Sequence, residues 1–483
     1  LTLSATDADT PNVNIAATLS ATARERPYAI AVACPAGRDL AGRARYTHWT
    51  FRQLDTESDV LARGLTAVGI GRGVRTVLMV KPGLEFFALT FALFKAGAVP
   101  VMIDPGMGIR NLGRCLAEAE PQAFVGIPRA QLARRILGWG KPTLRLAITV
   151  RPLPRRKNPR PSHLPDPSGH NFARLSLMQV RLAGLMGGDK PFPIAANRSD
   201  DPAAILFTSG STGPPKGAIY THAVFNAQVA MLRDLYAIEP GEVDLCTFPL
   251  FALFAPALGM TSVVPEMNAS RPAHVDPRKI LEAIEAFGAT NLFGSPALLK
   301  RVGDYGSLHG VKLPSLRRVV SAGAPVPAQV LERFAAMLCS GVQIYTPYGA
   351  TEALPVASIG SDEILGETRK QTDCGAGVCV GRPVPGMRVE VIRITDEPIA
   401  AWDDDLRVAD GTVGEFAVAG PVVTRGYFQR PVATRLAKIA GAAPDAPVMH
   451  RMGDVGYRDQ LGRLWFCGRK AHRVMTSEGV LFT

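Results

Sequence analysis

Thr208-Ser-Gly-Ser-Thr-Gly-Pro-Pro-Lys216-Gly217 gathers small hydroxyls, glycines and one lysine into a single tight run. Glycine lets backbone N–H groups approach an oxyanion closely, Ser and Thr add neutral donors, and Lys216 supplies a point charge where negative charge develops. Such chemistry cradles a polyphosphate, and ATP suits it. The run departs from a Walker loop, which requires glycine at Pro215 and Ser or Thr at Gly217. Apolar stretches on either side, Ala203-Ala-Ile-Leu-Phe207 and Ala218-Ile-Tyr220, predict two flanking strands. The cradle is therefore expected on a hairpin rather than at a helix N-terminus. Pro-Pro-Lys between apolar strands is also unlike a flexible Gly/Ser linker.

At 483 residues the chain exceeds one ordinary core, and about two to four domains or subdomains are expected. Charged residues at 20% and apolar ones at 47% leave ample material for packing, which excludes wholesale disorder. The seven cysteines lack CxxC spacing, so neither a disulfide framework nor structural zinc is expected and a reducing cytoplasm fits. A formal charge of +12 fits nucleic acid, an anionic membrane or an anionic substrate. Much of it lies at Arg151, Arg155, Arg156, Lys157, Arg160, Arg174 and Arg181, in a segment poor in the aromatics that stack on bases, which argues against nucleic acid. That segment reads as a solvated excursion, or else as a docking patch for an acidic partner or a membrane. No basic stretch followed by an apolar core marks a signal peptide at the amino terminus. The uncharged run from Leu245 to Pro265 approaches the ~20 residues of a membrane span, but Pro249, Pro256 and Gly259 interrupt it. With Phe248, Phe251 and Phe254 it reads as a buried wall, either plain core or an apolar ligand pocket.

Before the loop, the helical pattern Glu85–Phe94 alternates with apolar runs at Thr76–Val80 and Val99–Ile103; after it come Lys279–Phe287 and Val330–Met337 as helices, Asn291–Phe293 and Arg318–Ser321 as strands. This is the pattern of layered α/β halves. From about Gly381 the texture turns β-rich, with Arg388–Ile394, Gly414–Ala419 and Arg463–Phe466 separated by Gly and Pro turns, so a small β subdomain is expected over 381–469.

Four further motifs follow the loop in order: Ser321-Ala-Gly-Ala-Pro325, Tyr345-Thr-Pro-Tyr-Gly-Ala-Thr-Glu352, Gly414-Glu415, and Met452-Gly-Asp-Val-Gly-Tyr457 with Gly468-Arg469. With them the chain resembles the adenylate-forming superfamily of acyl-CoA synthetases, peptide-synthetase adenylation domains and luciferases, over essentially its whole length and least across 140–200. The resemblance implies an AMP-binding domain over 1–469. It implies that Thr208, Ser209, Gly210, Ser211, Thr212, Gly213 and Lys216 hold phosphates, that Gly323, Ala324 and Pro325 line the adenine, and that Tyr348 stacks on it beside Gly349 and Ala350. Thr351 would donate to the α-phosphate, Glu352 would hold Mg2+, and Asp454 would accept from the ribose with Arg469 beside it. Lys216, Thr351 and Glu352 are then the catalytic set for attack of a carboxylate on the α-phosphate of ATP.

Within the superfamily, Phe91–Val101, Thr247–Ala257, Leu292–Ala297, Thr346–Val356, His450–Asp454 and Trp465–Lys470 are similar to the β-lactone synthetases of bacterial long-chain olefin biosynthesis. That branch implies a long-chain 2-alkyl-3-hydroxy acid whose own hydroxyl closes the ring and expels AMP, without coenzyme A. It also implies a cytoplasmic setting and association with a β-lactone decarboxylase and a reductase. Phe248, Phe251 and Phe254 would face the alkyl arms from one side of a helix, if that stretch is helical. A fatty acyl-CoA synthetase or acyl-AMP ligase on the same fold, and a non-catalytic ATP-binding scaffold, remain the alternatives. The family's cap domain, with the lysine that orients the reacting groups, follows the Gly-Arg motif; residues 470–483 read as a hinge and the start of that cap, largely absent here, and Ala471 stands where many relatives have Asp or Lys. A chain ending at Thr483 is expected to bind nucleotide with little adenylation.

Overall fold

The apolar runs become the strands of two sheets, with helices packed against them. A computed structural model describes residues 13–151, 173–188, 190–207, 214–248, 253–443, 446–477 and 479–481. The expectations for Thr208, Ser209, Gly210, Ser211, Thr212 and Gly213, for Phe251, and for the basic cluster at Arg155, Arg156, Lys157 and Arg160 lie outside those residues.

The smaller sheet has seven strands in the order Ala173–Ser176, Leu146–Thr149, Ala123–Gly126, Arg75–Met79, Val99–Met102, Pro202–Phe207 and Gly217–Thr221. All pair in parallel except the last two, which are antiparallel and flank the expected phosphate loop, with Phe207 opposite Gly217. Parallel strands are covered on both faces, which is why Val99–Met102 and Ala123–Gly126 are buried at every position. The helix Phe51–Ala67 packs against the helix that follows it and begins with a reciprocal cap in which the Thr50 side chain accepts from the Gln53 N–H and the Gln53 side chain accepts from the Thr50 N–H. The next, Leu84–Lys95, is almost wholly buried, and Lys95 at its end is neutralised by Asp55 and Asp59, each at 2.6 Å.

The larger sheet carries fourteen strands. Its middle is parallel: Gln343–Ala350, Arg318–Val320, Asn291–Phe293, Val243–Cys246, Thr261–Val263 and Ile30–Arg38 run alongside one another. Antiparallel strands extend it on the carboxy-terminal side. Val378–Pro383 bonds to Ala353–Gly360 through Ala357 opposite Pro383, and to Leu464–Arg469 on its other side. The β-rich region expected from Gly381 onward is thus joined by strand pairing to the α/β half.

The uncharged run at 245–265 contributes the end of the strand Val243–Cys246, a single helical turn Phe254–Ala257 and the strand Thr261–Val263. Phe248 lies in the bend after the first strand and Phe254 opens the helical turn, so the described residues do not place both on one helix face as expected. Pro256 and Gly259, the latter at φ 77, keep that turn short. Among the described residues no helix is long and apolar enough to cross a membrane.

Candidate active site

Between the two sheets opens a cleft of about 1190 Å3. Its polar half is organised by three segments. The hairpin brings Lys216 to the rim, where Nζ stands 5.1 Å above the ring of Tyr427. Gly217 follows because a Cβ there would meet Ile205 Cγ2 at 2.8 Å. The segment Gly426–Phe428 runs along the hairpin: the Gly426 carbonyl accepts from Ile219 N–H at 3.1 Å and Phe428 N–H donates to the Gly217 carbonyl at 2.8 Å.

The third segment is the turn between Gln343–Ala350 and Ala353–Gly360, which carries Thr351 and Glu352. Tyr220 donates to the Thr351 carbonyl at 2.5 Å, and Tyr427 donates to Glu352 Oε1 at 2.6 Å. Thr424 donates to the Glu352 carbonyl from both its N–H, at 2.9 Å, and its hydroxyl, at 3.1 Å. Lys216, Thr351 and Glu352 all line the cleft, so the expected catalytic set comes together. Burial and the Glu352 charge hold the Tyr427 phenol protonated, which keeps it a donor to that carboxylate.

Asp454, on Met449–Arg458, faces Arg469 across the strand pair, as the motif order implies. Its Oδ2 accepts from the Tyr348 hydroxyl at 2.6 Å, and Arg469 Nη1 lies 2.8 Å from Oδ1. Yet Arg469 Nη1 makes its hydrogen bond to the Met452 carbonyl, and Oδ1 is left buried without a hydrogen bond from any described residue. Asp454 itself does not line the cleft, whereas its neighbour Gly453 and its partner Arg469 do. Burial pushes the Asp454 carboxyl up to about 6, against the opposing pull of Arg469.

The adenine assignments divide. Gly323, at φ 100, lines the cleft with Gly349 and Ala350, whereas Ala324 and Pro325 are exposed away from it. Tyr348 does not reach the cleft wall; its ring packs edge-on against Phe416, centroids 6.0 Å apart, and its hydroxyl is spent on Asp454.

The other half of the cleft is apolar. Phe94, Phe225 and Phe254 form a chain of rings, 5.7 Å and then 6.4 Å between centroids, and Phe91, Phe248, Leu253 and Phe293 complete the wall. One cleft therefore joins a polar end, with Lys216, Thr351 and Glu352, to a long aromatic one.

The sequence matches the family described as AMP-binding enzyme over residues 19–428. The chain belongs to the AMP-binding enzymes. It is 50% identical over 473 residues to the olefin beta-lactone synthetase of Xanthomonas campestris pv. campestris, covering 97% of this chain and 81% of that one. The olefin beta-lactone synthetase of Stenotrophomonas maltophilia is 49% identical, with the same coverage. Among solved structures, ATP-bound MatB from Rhodopseudomonas palustris aligns with a TM-score of 0.72 at 21% identity, covering 98% of this chain and 81% of that one. The AMP complex of O-succinylbenzoate coenzyme A synthetase from Bacillus subtilis does so at 0.72 and 18%, with the same coverage.

Several residues of this AMP-binding enzyme stand at the cleft without a role assigned from the sequence. Tyr220, Tyr427 and His450 line it, and Lys438 lies just behind. Burial lowers the Lys438 ammonium to about 7, partly offset by Glu352, and His450 is pushed well below the usual imidazole range by burial and then by Lys438. Glu415, buried between Arg451 at 2.6 Å and Lys470 at 3.1 Å, ties the last strand pair to the residues just after Arg469. The Gly414-Glu415 motif pointed to this carboxylate; nothing in the spacing pointed to Tyr427 or Lys438, which reach the site only through strand pairing.

Proposed function

We propose that this enzyme activates a long-chain 2-alkyl-3-hydroxy acid with ATP and closes it to a β-lactone, a reading supported by its half-identity to olefin beta-lactone synthetases. The observation that carries the reading is the single cleft in which Lys216, Thr351 and Glu352 sit at one end and the Phe94–Phe225–Phe254 wall at the other. A carboxylate held on the apolar side attacks the α-phosphorus, the bond to pyrophosphate breaks, and an acyl adenylate forms. Lys216 neutralises charge that builds on the phosphate oxygens, and Asp454 fixes the ribose so that the reacting atoms stay in line. The β-hydroxyl oxygen then attacks the acyl carbon, its proton leaves, and AMP departs with the electrons of the acyl–oxygen bond. Because nucleophile and electrophile share one molecule, high effective molarity offsets part of the ring strain.

Glu352, clamped by Tyr427 and facing the cleft, suits Mg2+, which binds through one or two carboxylates plus substrate phosphates. When bound, Mg2+ supplies charge neutralisation of the polyphosphate. The apolar wall supports the acyl substrate; a cytoplasmic setting beside a β-lactone decarboxylase and a reductase is part of the same proposal.

The test is product analysis. Incubated with ATP, MgCl2 and a synthetic 2-alkyl-3-hydroxy acid without coenzyme A, the protein is expected to release AMP and lactone. Formation of a thioester only, and only on adding coenzyme A, would replace this reading with an acyl-CoA synthetase.

A further inference from the structure

Lys438 is buried beside the nucleotide site without a carboxylate of its own. It stands in the short strand Lys438–Ile439 opposite His450 and is 8% exposed. Among the described residues no Asp or Glu lies within ion-pair distance of its Nζ, which donates instead to the Thr424 carbonyl and, at 3.4 Å, to Thr424 Oγ1. Burying an amine against neutral acceptors is unfavourable, and an apolar side chain of similar length would fill the space more cheaply. Packing alone therefore does not account for a lysine here.

The Thr424 contacts do. A proton donated by Lys438 to Oγ1 leaves that hydroxyl to aim its own proton at the Glu352 carbonyl, where the Thr424 N–H also donates. Three residues on, Tyr427 donates to Glu352 Oε1. The segment Thr424–Tyr427 thus grips Glu352 by backbone and side chain at once, and Lys438 pins the segment from behind. With Oε1 taken, Oε2 is the oxygen that has no hydrogen-bond partner among the described residues.

We propose that Lys438 is a positioning residue of the adenylation site, holding Glu352 through Thr424 so that its second carboxylate oxygen is presented to magnesium-bound ATP. This rests on the assignment of Glu352 given under the proposed function. Residues that orient a metal ligand without touching the metal set its affinity more than they set folding.

Calorimetric titration of ATP in MgCl2 and again in EDTA separates the possibilities. Lys438→Met and Thr424→Val are each expected to weaken ATP binding in MgCl2 about tenfold while leaving affinity in EDTA within about twofold. Lys438→Met is expected to melt no lower than the parent. Unchanged affinity in MgCl2, or equal loss with and without the metal, overturns the proposal; if Lys438→Met does not fold, Thr424→Val, which keeps the side-chain shape, decides alone. Glu352→Gln distinguishes the two levels. If it leaves the gap between MgCl2 and EDTA intact, the assignment of Glu352 fails; if it abolishes that gap while the other two variants keep it, only the role of Lys438 fails.

Discussion

Asp454 shows at the scale of one residue how a binding site trades stability for readiness. Its carboxyl is buried and pushed up to about 6, and its Oδ1 has no hydrogen bond from a described residue. A folded-state pKa above the ordinary carboxylate value means the folded protein binds a proton more tightly than the unfolded chain. That contribution to stability is full near pH 4 and is lost as pH rises through about 6, for a total of about 3 kcal/mol. Asp454→Asn is therefore expected to flatten the fall in stability between pH 4 and pH 7 in urea unfolding, and to weaken ATP binding at pH 8 about tenfold through loss of a charged acceptor. A variant with the parent's pH profile would remove burial as the cause. Asp454, Glu352 and Lys216 were legible because each sits in a motif of fixed spacing. Tyr427 and Lys438 were not, because Tyr427 meets Glu352 from about 75 residues away in sequence and Lys438 reaches it only indirectly, through Thr424, and no local pattern encodes either arrangement.

Elements were legible where apolar periodicity was strong. Glu85–Phe94 lies within the helix Leu84–Lys95, and Asn291–Phe293 is a strand with those bounds. What the pattern left open is which strands meet: the bond between Ala353–Gly360 and Val378–Pro383, which joins the β-rich region to the α/β half, is a non-local pairing. Helix crossings are equally silent. Phe51–Ala67 and Leu177–Met186 approach so closely that a Cβ on Gly64 would lie 1.9 Å from the Val180 carbonyl oxygen, and one on Gly184 would lie 1.9 Å from the Val60 carbonyl oxygen. Neither neighbour is a flexible side-chain end, so the helices themselves must separate. Gly184→Ala is expected to cost about 3 kcal/mol of stability, as overpacking at a backbone contact does. Gly366→Ala, where a Cβ meets nothing within 4 Å and the backbone is helical, is the control and is expected to be neutral or to stabilise by up to about 1 kcal/mol. Equal denaturation midpoints for the two variants would refute the crossing as a constraint.

At the scale of the whole molecule, the aromatic wall is assembled from parts of the chain that serve different sheets. Phe94 ends a helix over the smaller sheet, Phe225 belongs to the helix that follows the phosphate hairpin, and Phe254 opens the turn beside the larger sheet. The aromatic end of the cleft therefore exists only when both sheets are in place, while the polar end depends on the hairpin and the Glu352 turn. Separate construction predicts separable failure. Phe254→Ala removes apolar contact from the alkyl arm and nothing from the nucleotide, so kcat/KM for an acid with long arms is expected to fall about tenfold to a hundredfold, from the loss of one buried side chain. Affinity for ATP should stay within about twofold, and a short-armed acid that never reaches the wall should be processed as by the parent. Competition between the two acids in one reaction reads the difference directly. Equal losses for both acids and for ATP would mean that Phe254 holds the cleft together rather than the substrate, because a contact made only by the distal alkyl chain has no means of weakening ligands that do not extend to it.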